Sequence, residues 1–232
     1  MPNVNELQLN LWKGDKAEKR TVALQQVVIA GWTGRDSVAL NKHIEELKEL
    51  GIAPPTKVPC YFRASVNVVS TQPELQYVGP DGTGEIEFFL LSLQDGLWVG
   101  VGSEHTDRKV ETYSIPVSKQ LCQKAIASDL WKYEDIRPHW DKLILRAHIL
   151  ENGKRVVYQE GPLGDIRDPE ELIAKYTGGA GKLAPGTLMF GGTFSAIGGV
   201  RPAAEFHMEL EDPIRKRKLT HQYRIVTIPW EE

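Results

Sequence analysis

Gly84-Glu85-Ile86-Glu87-Phe88-Phe89-Leu90-Leu91 is the stretch on which the reading of this chain turns. Its composition is that of a strand. In a strand, residues two apart share a face, so Glu85 and Glu87 project side by side. Taken alone, the pair reads as the outward face of a half-exposed strand. Phe88 to Leu91 continue without alternation, as in a strand covered on both faces, and a buried carboxylate needs a partner. Like charges that close repel, and burial makes the repulsion worse. A divalent cation bound by oxygen ligands is the simplest partner.

A third acidic residue follows in Gly102-Ser103-Glu104-His105-Thr106-Asp107-Arg108, just past the strand-like residues 97–101. One reading has Glu104 completing a metal site and Arg108 presenting a guanidinium to a carboxylate. The other is a polar loop with a surface ion pair. His105 reads as a ligand or, equally, as a hydrogen-bonded structural residue.

The chain around these segments is strand-rich. Residues 4–12 and 21–30 read as strands around the polar turn Lys13-Gly14-Asp15-Lys16. Residues 37–50 read as a helix: Ser37 can cap it, Leu40, Ile44, Leu47 and Leu50 keep helical spacing, and Gly51 ends it. Ala53-Pro54-Pro55 then forces extended chain. This predicts a small N-terminal lobe over residues 1–52 and a main domain over 53–232. Residues 58–63, 66–69, 85–93 and 97–101 have β composition, and residues 118–128 look helical. Residues 143–150 and 154–158 form a hairpin through Glu151-Asn152-Gly153. Residues 169–177 form a helix with Asp168 as cap and Pro169 in first position. Further strands lie around 188–190, 205–210 and 223–228. The fold class is α+β and strand-rich, with a rolled sheet and a few short helices.

Bulk properties exclude several roles. The 232 residues suffice for one large domain, and 41% hydrophobic with 25% charged residues is ordinary for a soluble protein. A net charge of -3 and a pI near 6.1 give no reason to expect nucleic acid. The basic run Arg215-Lys216-Arg217-Lys218 reads as a solvated turn. No apolar stretch is long enough to span a bilayer, and the N-terminus lacks a signal-peptide layout. Cys60 and Cys122 fit a reduced, cytoplasmic protein and read as small buried hydrophobes.

Two further segments carry chemistry. His43 and Glu46 are one helical turn apart, and imidazole oriented by carboxylate is a general-base arrangement. By spacing alone, the charged neighbours Lys42, Glu45, Lys48 and Glu49 make it a surface helix face. Gly191-Gly192-Thr193 can bring backbone N–H groups and a hydroxyl against carboxylate oxygens, or form a tight turn or bulge.

In this order the segments resemble the fumarylacetoacetate hydrolase superfamily, from about Val27 to the C-terminus. The family shows a Gly, a short lid helix with His-x-x-Glu, and a Pro-led strand ending in a basic residue. Gly31, His43-Ile44-Glu45-Glu46 and Pro59-Cys60-Tyr61-Phe62-Arg63 match these. Glu85-Ile86-Glu87 matches its Glu-x-Glu strand, and Glu104 to Arg108 its acidic residue followed by Thr and Arg. Lys119 matches a downstream Lys, and Pro185-Gly186-Thr187 with Gly192-Thr193 the closing strand. The chain looks most like a divergent, uncharacterised branch carrying Gly-Trp-Thr-Gly-Arg-Asp at residues 31–36. Glu104 stands where the family usually has Asp, and Thr187 where it has Asp after Pro-Gly.

The resemblance implies a mixed β-roll, a homodimer and an Mg²⁺ or Mn²⁺ site held by Glu85, Glu87 and Glu104. It implies hydrolysis of a C–C bond in a small oxo-acid or β-diketone-like substrate through a metal-stabilised enolate. His43, oriented by Glu46, would move the proton; Lys119, Arg108, Arg63 and Thr193 would bind substrate oxygens. Decarboxylation, hydration or isomerisation on the same scaffold, or binding without catalysis, are the alternatives.

Overall fold

A computed structural model describes residues 5–38, 55 and 57–229. In chain order the strands are β1 Asn5–Lys13, β2 Lys16–Leu24, β3 Gln26–Gly31, β4 Cys60–Ala64, β5 Val69–Ser70, β6 Glu74–Val78, β7 Gly82–Thr83, β8 Ile86–Leu93 and β9 Gly96–Ser103. They continue with β10 Thr106–Asp107, β11 Lys124–Ile126, β12 Asp129–Lys132, β13 Ile144–Glu151, β14 Lys154–Pro162, β15 Thr187–Phe190, β16 Glu205–Asp212 and β17 Arg217–Ile228. The α-helices lying wholly within the described residues are α1 Arg108–Tyr113, α2 Ile115–Leu121, α3 Tyr133–Ile136 and α4 Pro169–Tyr176.

A ten-stranded sheet runs β2-β1-β12-β9-β8-β15-β3-β4, with β11 joined to β9 and β5 to β11. A five-stranded sheet runs β14-β13-β16-β17-β6, and β7 pairs with β10. The strand-rich α+β class is as expected. Among the described residues no helix is long and apolar enough to cross a membrane.

β8 lies in the middle of the large sheet, and its failure to alternate has a direct cause. Phe88 and Leu90 enter one core, with Leu145, Phe206, Met208 and Tyr223 of the five-stranded sheet. Phe89 and Leu91 enter a second core on the opposite face, with Leu9, Leu24, Ile29 and Leu188. Aromatic rings lie over glycines of adjoining chain: Phe89 is registered against Gly100, and a Cβ at Gly100 would lie 2.2 Å from its Cζ. A Cβ at Gly191 would likewise meet the Phe88 ring. The missing side chains are the space these rings occupy.

Local signals held where chain chemistry was decisive. Asn152 and Gly153 adopt φ of 50° and 73°, as a two-residue hairpin turn requires, and β13 pairs with β14 across it. Asp168 caps α4 by accepting from the Glu171 N–H at 2.9 Å.

Other expectations are corrected by tertiary pairing. The helix expected over 118–128 stops at Leu121, and Lys124–Ile126 is a strand because β9 and β5 supply its ladder partners. Val66–Val68 is a 3-10 turn rather than a strand. The run 21–30 divides at Gln25, whose N–H donates to Gly186 O at 2.8 Å. Arg217 is not simply solvated, since its guanidinium lies 4.4 Å from the Trp131 ring centroid and pairs with buried Asp212. Strands β1 to β3, from the stretch read as an N-terminal lobe, are members of the large sheet: β1 pairs with β12 and β3 with β15. Of the helix expected over 37–50, residues 39–50 lie outside the described residues, His43 and Glu46 among them.

Gly100→Ala is expected to destabilise the protein by about 1–3 kcal/mol, because overpacking displaces Phe89. Urea unfolding of the wild type and the variant measures it, and an unchanged midpoint would mean the ring is not held there.

Candidate metal centre

Sheet order gathers the site at one end of the large sheet. β8 begins there, and its antiparallel neighbours β9 and β15 end there. β3, parallel to β15, also ends there, and β4 begins there. Glu85 and Glu87 therefore stand at the start of β8, Glu104 directly after β9, and Gly191-Gly192 directly after β15. The sheet ladder extends beyond the strand ends, since the Glu104 N–H donates to Glu85 O at 2.9 Å. Carboxylate oxygens of Glu85, Glu87 and Glu104 all lie within 4.8 Å of one another.

The three carboxylates have different surroundings. Glu104 is completely buried between two lysines. Lys119 Nζ donates to its Oε2, which also accepts from Thr106 Oγ1 at 3.0 Å. Lys124 Nζ lies 2.9 Å from its Oε1 and is itself 0% exposed. Burial pushes the Glu104 carboxyl up, but the two ammonium charges outweigh it and hold the group below its ordinary range. Glu85 is a fifth exposed at its side chain and pairs with Arg108 at 2.9 Å. Arg108 also holds Glu111 at 2.7 Å and Thr83 Oγ1 at 2.6 Å.

Glu87 is the unbalanced member. It is buried, and its Oε2 accepts from the Gly192 N–H at 2.7 Å. Among the described residues no cation lies within ion-pair distance of it. Burial, and then the charges of Glu104 and Glu85, push its carboxyl well above the usual range. The approach of Gly192 needs glycine: φ is 113°, and a Cβ would strike the Thr33 hydroxyl.

The structure thus brings together Glu85, Glu87, Glu104, Lys119 and Arg108. Thr193 adjoins them through Gly192. Its Oγ1 accepts from Gln159 Nε2 at 2.8 Å, and Gln159 Oε1 accepts from the Ile86 N–H at 3.0 Å. Arg63 is placed elsewhere. It is exposed, lies opposite Val28, and its Nε donates to Val27 O at 3.2 Å. Cys60, three residues earlier, is the β4 residue at the site end. His105 is a hydrogen-bonded structural residue, with Nδ1 2.9 Å from the Tyr223 hydroxyl and its ring stacked on Tyr77 at 4.0 Å. Burial and the charges of Lys124 and Arg108 bring its pKa down to about 3, which keeps it neutral.

Lys124 is the residue that sequence reasoning missed. Its signal was a lone charge opening the apolar run Ala125-Ile126-Ala127, hidden by assignment of the segment to a helix.

The model of the family described as "Protein of unknown function (DUF2848)" matches residues 30–223. No curated protein matches the chain in sequence. Its fold is similar to several solved structures. One is an Oleispira antarctica protein described as a fumarylacetoacetate isomerase/hydrolase, at TM-score 0.65 and 17% identity over 95% of this chain and 100% of that one. Another is yeast ynq8, a fumarylacetoacetate hydrolase family protein, at TM-score 0.64 and 16% identity over 90% and 97%. A third is a 2-keto-3-deoxyarabinonate dehydratase, at TM-score 0.65 and 14% identity over 93% and 86%. The fold is thus that of fumarylacetoacetate hydrolase-type proteins.

Removing one partner of a buried ion pair leaves an uncompensated charge, at a cost of about 3–5 kcal/mol. Because Glu104 keeps Lys119, Lys124→Met is expected near the lower end of that range. Denaturant unfolding checks it, and a loss below about 1 kcal/mol would mean that the Lys124 ion pair contributes no more than an exposed one.

Proposed function

The chain belongs to the DUF2848 family, and we propose that it is a divalent-metal-dependent enzyme of the fumarylacetoacetate hydrolase type. Its substrate is a small oxo acid or β-diketone, cleaved at a C–C bond. One observation carries the reading: Glu87 is a buried carboxylate with no ion-pairing cation among the described residues, beside two further carboxylates whose oxygens lie within 4.8 Å. Left alone, such a group must take up a proton or a metal ion.

The donor set fits the ion. Three carboxylates form an all-oxygen site, which suits Mg²⁺ or Mn²⁺ over softer metals. Glu85, Glu87 and Glu104 would hold it. When bound, the ion supplies Lewis-acid polarisation of a substrate carbonyl.

The protein's own groups do the rest. Lys119 and Arg108 place positive charge beside partly open Glu85, where a substrate carboxylate enters. Gly192 holds Glu87 in position, and the Thr193 hydroxyl donates to a substrate oxygen. His43, oriented by Glu46, takes the proton from the attacking water, an assignment that rests on sequence alone. The resemblance to family enzymes in fold supports catalysis over passive binding, and a general base is a group a mere binder does not need.

Calorimetric titration of Mn²⁺ into metal-free protein tests the centre. Binding is expected in the wild type and at least tenfold weaker in Glu87→Ala and Glu85→Ala; equal binding in all three overturns the site. A screen of β-diketones and 2-oxo acids with Mg²⁺ and Mn²⁺ identifies the substrate. With that substrate, His43→Ala is expected to abolish turnover while leaving Mn²⁺ binding intact, and loss of both would assign His43 a structural role.

A further inference from the structure

Behind the carboxylates lies a buried chain of polar groups that reaches the centre from the other sheet. Tyr223 is on β17, in the five-stranded sheet, and is 1% exposed. Its hydroxyl donates to Ser103 Oγ at 2.9 Å and pairs with His105 Nδ1 at 2.9 Å. Ser103 Oγ in turn accepts from the Glu85 N–H at 3.2 Å. Ser103 and His105 flank Glu104, so one phenol grips the chain on both sides of that residue. The loop closes through the Glu104 N–H, which donates to Glu85 O.

The remaining contacts fix the imidazole. Tyr77 stacks on it with planes 8° apart, and Lys124 Nζ donates to His105 O while pairing with Glu104. Gly82 gives the ring room, because a Cβ there would lie 2.7 Å from Nε2. Ser103, His105 and Tyr223 are all buried. Buried polar groups are expensive unless paired, so a chain of them ending on two metal-candidate residues has a positional consequence.

We propose that Tyr223, acting through Ser103 and His105, is a positioning residue that sets the backbone of Glu85 and Glu104. It touches neither substrate nor ion. It ties the geometry of the carboxylate cluster to the packing of the five-stranded sheet, much as outer hydrogen-bond partners orient ligating groups at metal sites. The consequence for metal affinity rests on the function proposed above; the positioning itself does not.

The test uses Tyr223→Phe, which keeps the ring and removes the hydroxyl. Tyr158→Phe is the control. Tyr158 is also 1% exposed, and its hydroxyl accepts from the Arg201 N–H at 3.2 Å, outside this chain of bonds. Amide hydrogen exchange reads the positioning without any metal. The Glu85 and Glu104 amides are expected to exchange about tenfold faster in Tyr223→Phe and unchanged in Tyr158→Phe. Mn²⁺ affinity, measured on fully folded protein, is expected to fall about 10–100-fold in Tyr223→Phe only. His105→Asn, which keeps a donor near Nδ1, is expected to retain more affinity than His105→Leu.

Unchanged exchange at Glu85 and Glu104 in Tyr223→Phe overturns the proposal, as does equal loss in the Tyr158 control. If wild-type protein binds no Mn²⁺ while the exchange difference appears, the metal reading fails and the positioning role stands.

Discussion

Placing three carboxylates together inside a protein is the constraint to which the rest of this structure answers. Each charge must be compensated, because desolvation and mutual repulsion both act against ionisation. Glu104 is met by Lys119 and Lys124, and Glu85 by Arg108. Glu87 receives one backbone N–H. The compensation is thus uneven. Among the described residues two carboxylates are balanced by side chains, and the third is the place where additional positive charge is most strongly favoured.

Holding that arrangement requires close backbone approach, and the sheet supplies it. Phe88 and Phe89 fill both faces of β8, each over a glycine of adjoining chain. The rings thereby anchor the strand whose first residues carry the acidic pair. Gly192 can reach Glu87 because it lacks a side chain at a position crowded by Thr33. From the five-stranded sheet, Gln159 clamps the Ile86 N–H to Thr193, and Tyr223 reaches Ser103. The cluster belongs to the junction of two sheets, and both cores bear on it.

Much of this was legible in the chain. Glu85-Ile86-Glu87 ahead of an unbroken apolar run implied a buried acidic pair, and the structure buries Glu87 while leaving the Glu85 side chain a fifth exposed. Asn152-Gly153 and Asp168-Pro169 specified their turn and helix start, because positive φ and N-capping are properties of a few consecutive residues. Lys124 was not legible. A short segment of Gln, Lys and Ala suits a helix by propensity, and only pairing with β9 and β5 makes it a strand. The placement of Arg63 was not legible for a related reason. Its distance from Pro59 could be read, but the register that sets Cys60 at the site end and Arg63 beside Val28 could not.

The sequence by itself determined the residue types at the centre, their order, and the two-sided burial of the strand that presents them. These follow from side-chain chemistry and from the period-two geometry of a strand, both local. Only the tertiary structure decided which cations compensate which carboxylates, that Tyr223 lies 2.9 Å from Ser103, and that the first three strands join the main sheet. Those relations run from Lys119–Glu104, 15 residues apart, to the β3–β15 pairing, 161 residues apart, and depend on strand order and register, which long-range packing selects among alternatives that local sequence leaves equally open.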